Sequence, residues 1–317
     1  MNRVFLFLFL LSVFSPLLRS QESIRGQLND LIVVEKQGRY EQAIRSTHLL
    51  IDAGNLGGEA GRAWTILGFA YEQLGHYQQA QKAYEQGLHI LEKDAPHSIE
   101  YASALVNFAN LNNVTQGPEV ASRLWSKALK VHTELGYHAG IAQDHAFLAG
   151  VLLARKHISA GQKELEKAIA EAKLIQNPTE EQAVFLSDTQ GWMANVKGDG
   201  PSELAAYQHS LELRQRARGE DSPMTAWAYL YLGLAYADCK ESEQALASSR
   251  KGLEILDRVV GHNTPPYLAG EMILAQVLDR EGMRDEALQV RKKAQWSANE
   301  LFHGQCLGCT VSVASLR

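Results

Sequence analysis

The fold class that the sequence predicts is an all-α solenoid of about seven helix–turn–helix repeats. Three observations carry it. A spaced pattern of small, aromatic and aliphatic residues recurs seven times at a near-constant interval. Ala, Leu, Glu, Gln and Lys dominate most segments, and only 8 prolines occur in 317 residues; these are the residues that lose least on entering a helix. No Pro/Gly/Ser-rich linker divides the chain, which exceeds the usual size of a single-core domain, so one continuous extended architecture accounts for its length.

The first segment differs in kind. Arg3 is followed by an apolar run, Val4–Leu18, broken only by Ser12, Ser15 and Pro16, and Ser20 ends it. A basic start, a short apolar run and a small closing residue read as a signal peptide over residues 1–20, with cleavage near Ser20–Gln21. The run falls short of the roughly twenty residues that a spanning helix needs, which leaves an uncleaved anchor as the alternative. Without Arg3 and Arg19 the 31 basic residues become 29 against 36 acidic ones, a net charge of −7. The expectation is an exported, periplasmic or secreted chain with no membrane contact after cleavage. No basic stripe gathers on any segment, so nucleic acid is not an expected partner.

The repeat is clearest in residues 63–91, AWTILGFAYEQLGHYQQAQKAYEQGLHIL. Trp64, Leu67, Gly68, Tyr71, Gly75, Tyr77, Ala80, Tyr84 and Leu88 stand there at offsets that suit one helical face, a turn, and a second helical face. This strongly resembles the tetratricopeptide repeat, with Gly87 standing where Ala is typical. The resemblance implies a right-handed superhelical solenoid. Its first position falls at Ile24, Gly61, Ala102, Ala142, Val184, Ala226 and Leu268, at intervals of 37, 41, 40, 42, 42 and 42 residues. The solenoid is expected over residues 21–297 and a cap or tail over 298–317.

Two antiparallel helices cross closely only over small side chains. The first helices supply Gly68, Ala109, Ala149, Gly191, Gly233 and Ala275. The second helices supply Ala43, Ala80, Ala121, Gly161, Ala245 and Ala287, with Glu203 an unexplained exception. A second small column, Gly87, Ala128, Ala168, Ser210, Gly252 and Ala294, is expected where one repeat meets the next. Between repeats, Gly219-Glu-Asp-Ser-Pro223 echoes Gly261-His-Asn-Thr-Pro265 forty-two residues later. Glycine closing a helix and proline blocking its continuation define a turn. This long period is similar to that of kinesin light chains and their bacterial relatives.

Stacked repeats leave a concave surface lined by the first helices. The resemblance implies that the second, fifth, ninth, twelfth and thirteenth positions of each repeat face it. In repeat one these are Arg25, Leu28, Ile32, Glu35 and Lys36; in repeat two, Arg62, Thr65, Phe69, Glu72 and Gln73; in repeat three, Ser103, Val106, Asn110, Asn113 and Val114. Repeat five offers Phe185, Asp188, Trp192, Asn195 and Val196; repeat six Trp227, Leu230, Leu234, Ala237 and Asp238; repeat seven Ala269, Met272, Gln276, Asp279 and Arg280. The later set is the more apolar. An apolar patch facing water marks a binding site. It predicts a groove for a peptide segment of a partner protein, with Asp188, Asp238, Asp279 and Arg280 setting polarity and register. Tight curvature that lets these side chains cover one another is the competing reading. Use of the same groove for self-association, as an assembly scaffold, is another.

Few patterns point to chemistry. Cys306 and Cys309 form a Cys-x-x-Cys in the tail, open to a local disulfide, to unpaired structural thiols, or to metal or redox use. Residues Thr310–Leu316 alternate β-branched and small side chains, as a strand or extended cap would. The 11 histidines are scattered, and Gly198-Asp-Gly-Pro201 lacks the Lys-Ser/Thr of a phosphate loop. A non-enzymatic adaptor without cofactor is the expectation.

Overall fold

The computed structural model describes residues 24–302, and among them every regular element is helical. Helix α1 covers residues 24–36. It is followed by α2 (Tyr40–Asp52), a short 3-10 turn (Gly57–Glu59), α3 (Ala60–Gln73), α4 (Tyr77–Asp94), α5 (Ile99–Thr115), α6 (Pro118–Leu135) and α7 (His138–Ala154). The second half comprises α8 (Ile158–Lys173), α9 (Glu180–Lys197), α10 (Gly200–Arg218), α11 (Pro223–Asp238), α12 (Ser242–Val260), α13 (Pro265–Arg280) and α14 (Arg284–Phe302). The helices pair as α1/α2 through α13/α14, each pair antiparallel and stacked on the next. Helix α14 continues five residues beyond 297.

Local chemistry sets these boundaries. Ser98, Thr179 and Ser222 cap α5, α9 and α11 by accepting a backbone N–H three residues on, and Thr179 forms a full capping box with Gln182. Pro223 and Pro265 occupy the first position of α11 and α13, where a missing N–H costs nothing. The proline of the Gly-x-x-x-Pro echo therefore opens the next helix, besides ending the previous one.

Packing within each pair follows the small residues. A Cβ on Gly68 would lie 2.7 Å from the Tyr84 ring, and one on Gly191 would lie 2.9 Å from Tyr207, so the same position accommodates the same aromatic partner in repeats two and five. The second small column is placed differently from expectation. Gly87 lies against the Gly61 carbonyl and Thr65, and Gly252 against the Ala226 carbonyl and Leu230, all within their own helix pairs. It closes the far end of each hairpin. Successive repeats meet instead through aromatic pairs: Tyr84 with Phe108, Trp125 stacked on Phe147 at 5.1 Å, and Tyr207 stacked on Tyr231 at 5.7 Å. Glu203, at a position otherwise small, is buried and accepts a hydrogen bond of 3.0 Å from Asn195 Nδ2, which accounts for a carboxylate there.

The stack also winds back on itself. A Cβ on Gly38, in the α1–α2 turn, would strike Val259 Cγ1 at 2.7 Å, with Val260 and Pro223 just beyond. Gly38 has φ +77°, a conformation suited to glycine. Lys36 pairs with Glu181 at the start of α9 at 2.6 Å. One apolar cluster joins Tyr77, Tyr84 and Leu111 to Leu268 and Ala298. The first three repeats thus lie against the last three. Among the described residues, no helix is long and apolar enough to cross a membrane.

Candidate binding groove

The winding leaves an open-mouthed cavity of about 600 Å³ on the concave side of repeats one to three. Helix α1 contributes Arg25, Asn29, Ile32, Glu35 and Lys36; α3 contributes Arg62, Thr65, Ile66 and Phe69; α5 contributes Ile99, Glu100, Ser103 and Asn107. Tyr40 of α2 completes that wall, and Pro223 and Met224 at the start of α11 close the opposite side. Eight of these residues occupy the second, fifth, ninth, twelfth or thirteenth positions of their repeats. Ile99 and Glu100 lie ahead of the repeat's first position, Ala102, because the Ser98 cap starts α5 early.

The rim is a charged lattice. Arg25 Nη2 donates to Glu100 Oε1 at 2.6 Å and its Nε lies 3.0 Å from Glu59 Oε1. Arg62 Nη2 donates to Asn29 Oδ1 at 2.5 Å, and its Nη1 lies 3.5 Å from Glu59 Oε2. Lys36 and Arg218 both reach Glu181. Burial and the nearby Arg218 guanidinium lower the Lys36 pKa, against the pull of Glu35. Glu35 is only 5% exposed and its Oε1 has no hydrogen-bond partner. Burial pushes its carboxyl well above the usual range, with Lys36 opposing. Glu72 is held at about 7 by burial, while Tyr84 O–H donates to its Oε2 at 2.8 Å and pulls the other way.

The C-terminal residues expected to line the groove are largely committed elsewhere. Leu230 and Leu234 are corrections: they are 0% and 2% exposed, in a core cluster with Ala226, Ile273 and Val277. The reason lies in the neighbouring helices, where Gly252 and Gly270 leave the slot that Leu230 fills. The fifth position is in fact buried in several repeats, at Leu28, Thr65, Val106, Ala146 and Leu230. Asp188 turns back on its own helix pair, accepting 2.6 Å and 3.2 Å hydrogen bonds from Arg214 and one of 2.5 Å from Ser210. Asn195 donates to Asp238 at 3.0 Å and Asp238 pairs with Arg280 at 3.1 Å, so these three tie repeats five, six and seven together. Asp279 pairs with Arg291. Phe185, Trp192, Trp227, Met272 and Gln276 remain half-exposed. Of these, Trp192 packs against the Ala149–Leu165–Met193 cluster, and Trp227 and Met272 against the cluster that holds Leu230. Residues 1–20, Cys306, Cys309 and Thr310–Leu316 lie outside the described residues.

Against known proteins, the tetratricopeptide-repeat family profile matches residues 204–258, spanning most of α10 to α12. That segment matches the tetratricopeptide repeat, and the stacked helix pairs on either side of it have the same hairpin form. No curated protein matches it in sequence. Among solved structures it is similar to the Rap conjugation gene regulator of plasmid pLS20 in complex with the Phr* peptide, at TM-score 0.65 and 13% identity over 90% of this chain and 77% of that one. A Rap protein complexed with Competence and Sporulation Factor superposes at TM-score 0.53 and 13% identity, over 89% and 94%. The Cut9-Hcn1 hetero-tetramer of the APC/C gives TM-score 0.57 at 16% identity; the match covers 86% of this chain but only 46% of that one. At such identities the likeness is one of fold. The repeat pattern placed most of the cavity-lining residues of α1 and α3 but only Ser103 of those on α5, and it favoured the later repeats. Pro223 and Met224 carry no local signal of their role, which arises from winding.

Proposed function

We propose that this tetratricopeptide-repeat chain is a non-enzymatic adaptor that binds a segment of a partner protein on its concave face, chiefly in the cavity of repeats one to three. The observation that carries this reading is the cavity itself: about 600 Å³, walled by the first helices of three consecutive repeats and closed by Pro223 and Met224. A concave, partly apolar space with a few convergent polar groups is the usual form of a ligand site. The Rap regulators of similar fold, whose structures are described as peptide and factor complexes, support the choice of a peptide as occupant.

Ser103 is exposed on the cavity wall, so Ser103→Trp should fill the space without disturbing the core. Partner capture from native extracts should then be lost while the helical circular-dichroism signal is retained. Capture that survives Ser103→Trp but is lost in a Trp192→Ala/Trp227→Ala double variant would move the site to the later repeats. The chain is also proposed to act outside the cytoplasm, on the strength of residues 1–20. Cell fractionation with N-terminal sequencing should find a mature chain starting near Gln21; an intact Met1 in the cytosol would end that idea.

A further inference from the structure

Around the cavity every cation already has a carboxylate. Arg25 has Glu59 and Glu100, Arg62 has Glu59, and Lys36 shares Glu181 with Arg218. Glu35 is different: it is almost wholly buried, it forms part of the cavity wall, and its Oε1 meets no donor. An unpaired buried oxygen is costly, and an occupant that brings a donor removes the cost. A neutral N–H would fill the lone pair, but only a cation also offsets the desolvation of a carboxylate. The wall of the same cavity also carries Ile32, Ile66 and Phe69. Such walls suit the aliphatic stem of a long basic side chain, and the Phe69 ring offers a face to its charged head.

Building on the groove reading above, we propose that the cavity seats a lysine or arginine side chain of the bound segment, with Glu35 as its counter-ion. The pocket selects partners by the basic residue, and the charged rim positions the flanking peptide. Glu35 is thus a specificity-determining residue whose role does not follow from its place in the repeat alone, since Glu72 holds the same position in repeat two and is occupied by Tyr84.

The test uses pools of fluorescently labelled, end-capped heptapeptides, fixed at the central residue as Arg, Lys, Gln, Glu or Leu and random elsewhere. Each pool is titrated against the full chain and against Glu35→Gln by fluorescence anisotropy. The Arg and Lys pools should bind wild type at least about tenfold more tightly than the others, and Glu35→Gln should erase that preference while keeping its circular-dichroism spectrum. Wild-type binding that is equal across pools, or strongest for the Gln pool, overturns the cation site and leaves the groove reading standing. A preference that persists in folded Glu35→Gln does the same. No binding of any pool to wild type overturns both. The wild-type comparison needs no variant, so a misfolded Glu35→Gln would not rescue the proposal; Glu35→Asp, which keeps the charge, should retain the preference for basic pools.

Discussion

Two carboxyls on the inner helices, Glu35 and Glu72, are held in surroundings that disfavour their charged forms. For Glu72 the consequence can be given a sign. Its pKa is about 7 in the folded chain against an ordinary 4.5, so between these values the native state keeps a proton that the unfolded chain has released. Stability from this group is therefore full below pH 4.5, declines as pH rises through the window, and is gone above about 7. Glu35 adds a slope of the same sign. Glu72→Gln is neutral at every pH and can still accept from Tyr84. It should melt higher than wild type at pH 8, by up to about 3 kcal/mol in stability, and the gap should close by pH 5. Thermal melts of both proteins at the two pH values check this; a gap that does not change with pH would show that Glu72 titrates normally. No sequence pattern distinguishes this residue from an exposed glutamate, because the shift comes from what covers it.

At the level of the helix pair, the recurrent small residues serve two contacts: the crossing, as Gly68 with Tyr84 shows, and the far end of the same hairpin, as Gly252 with Leu230 shows. Their spacing along the chain made both columns visible. It did not reveal which neighbour each one faced, because either placement obeys the same offset. The fifth position illustrates the same ambiguity. Leu230 lies on the predicted inner arc of α11, yet Gly252 and Gly270 open a slot beneath it that an apolar side chain fills. Leu230→Ala should therefore cost about 2–5 kcal/mol, read as a lower urea midpoint with an unchanged slope. A loss below about 0.5 kcal/mol would mean that the side chain faces solvent after all. Asn195, Asp238 and Arg280 were legible as inner-face polar residues, but their mutual bonding across three repeats depends on how closely those repeats approach.

For the molecule as a whole, the decisive event is the return of the last repeats onto the first, where Gly38 meets Val259 and Pro223 and where Lys36 meets Glu181. That contact converts an open concave face into a bounded cavity with Met224 in its wall. The sequence by itself determined the helix pairs and the near-42-residue period, since both follow from residue offsets along the chain, and the resemblance to a known repeat placed most of the cavity-lining residues of α1 and α3. Only the tertiary structure decided that the cavity lies at repeats one to three and that the polar residues of repeats five to seven are spent on one another. The physical reason is accumulation. The angle between neighbouring repeats is set by side-chain contacts such as Trp125 on Phe147, and these angles sum along the stack. Residues nearly two hundred positions apart, Ile32 and Met224, face one cavity through a sum that no local pattern contains.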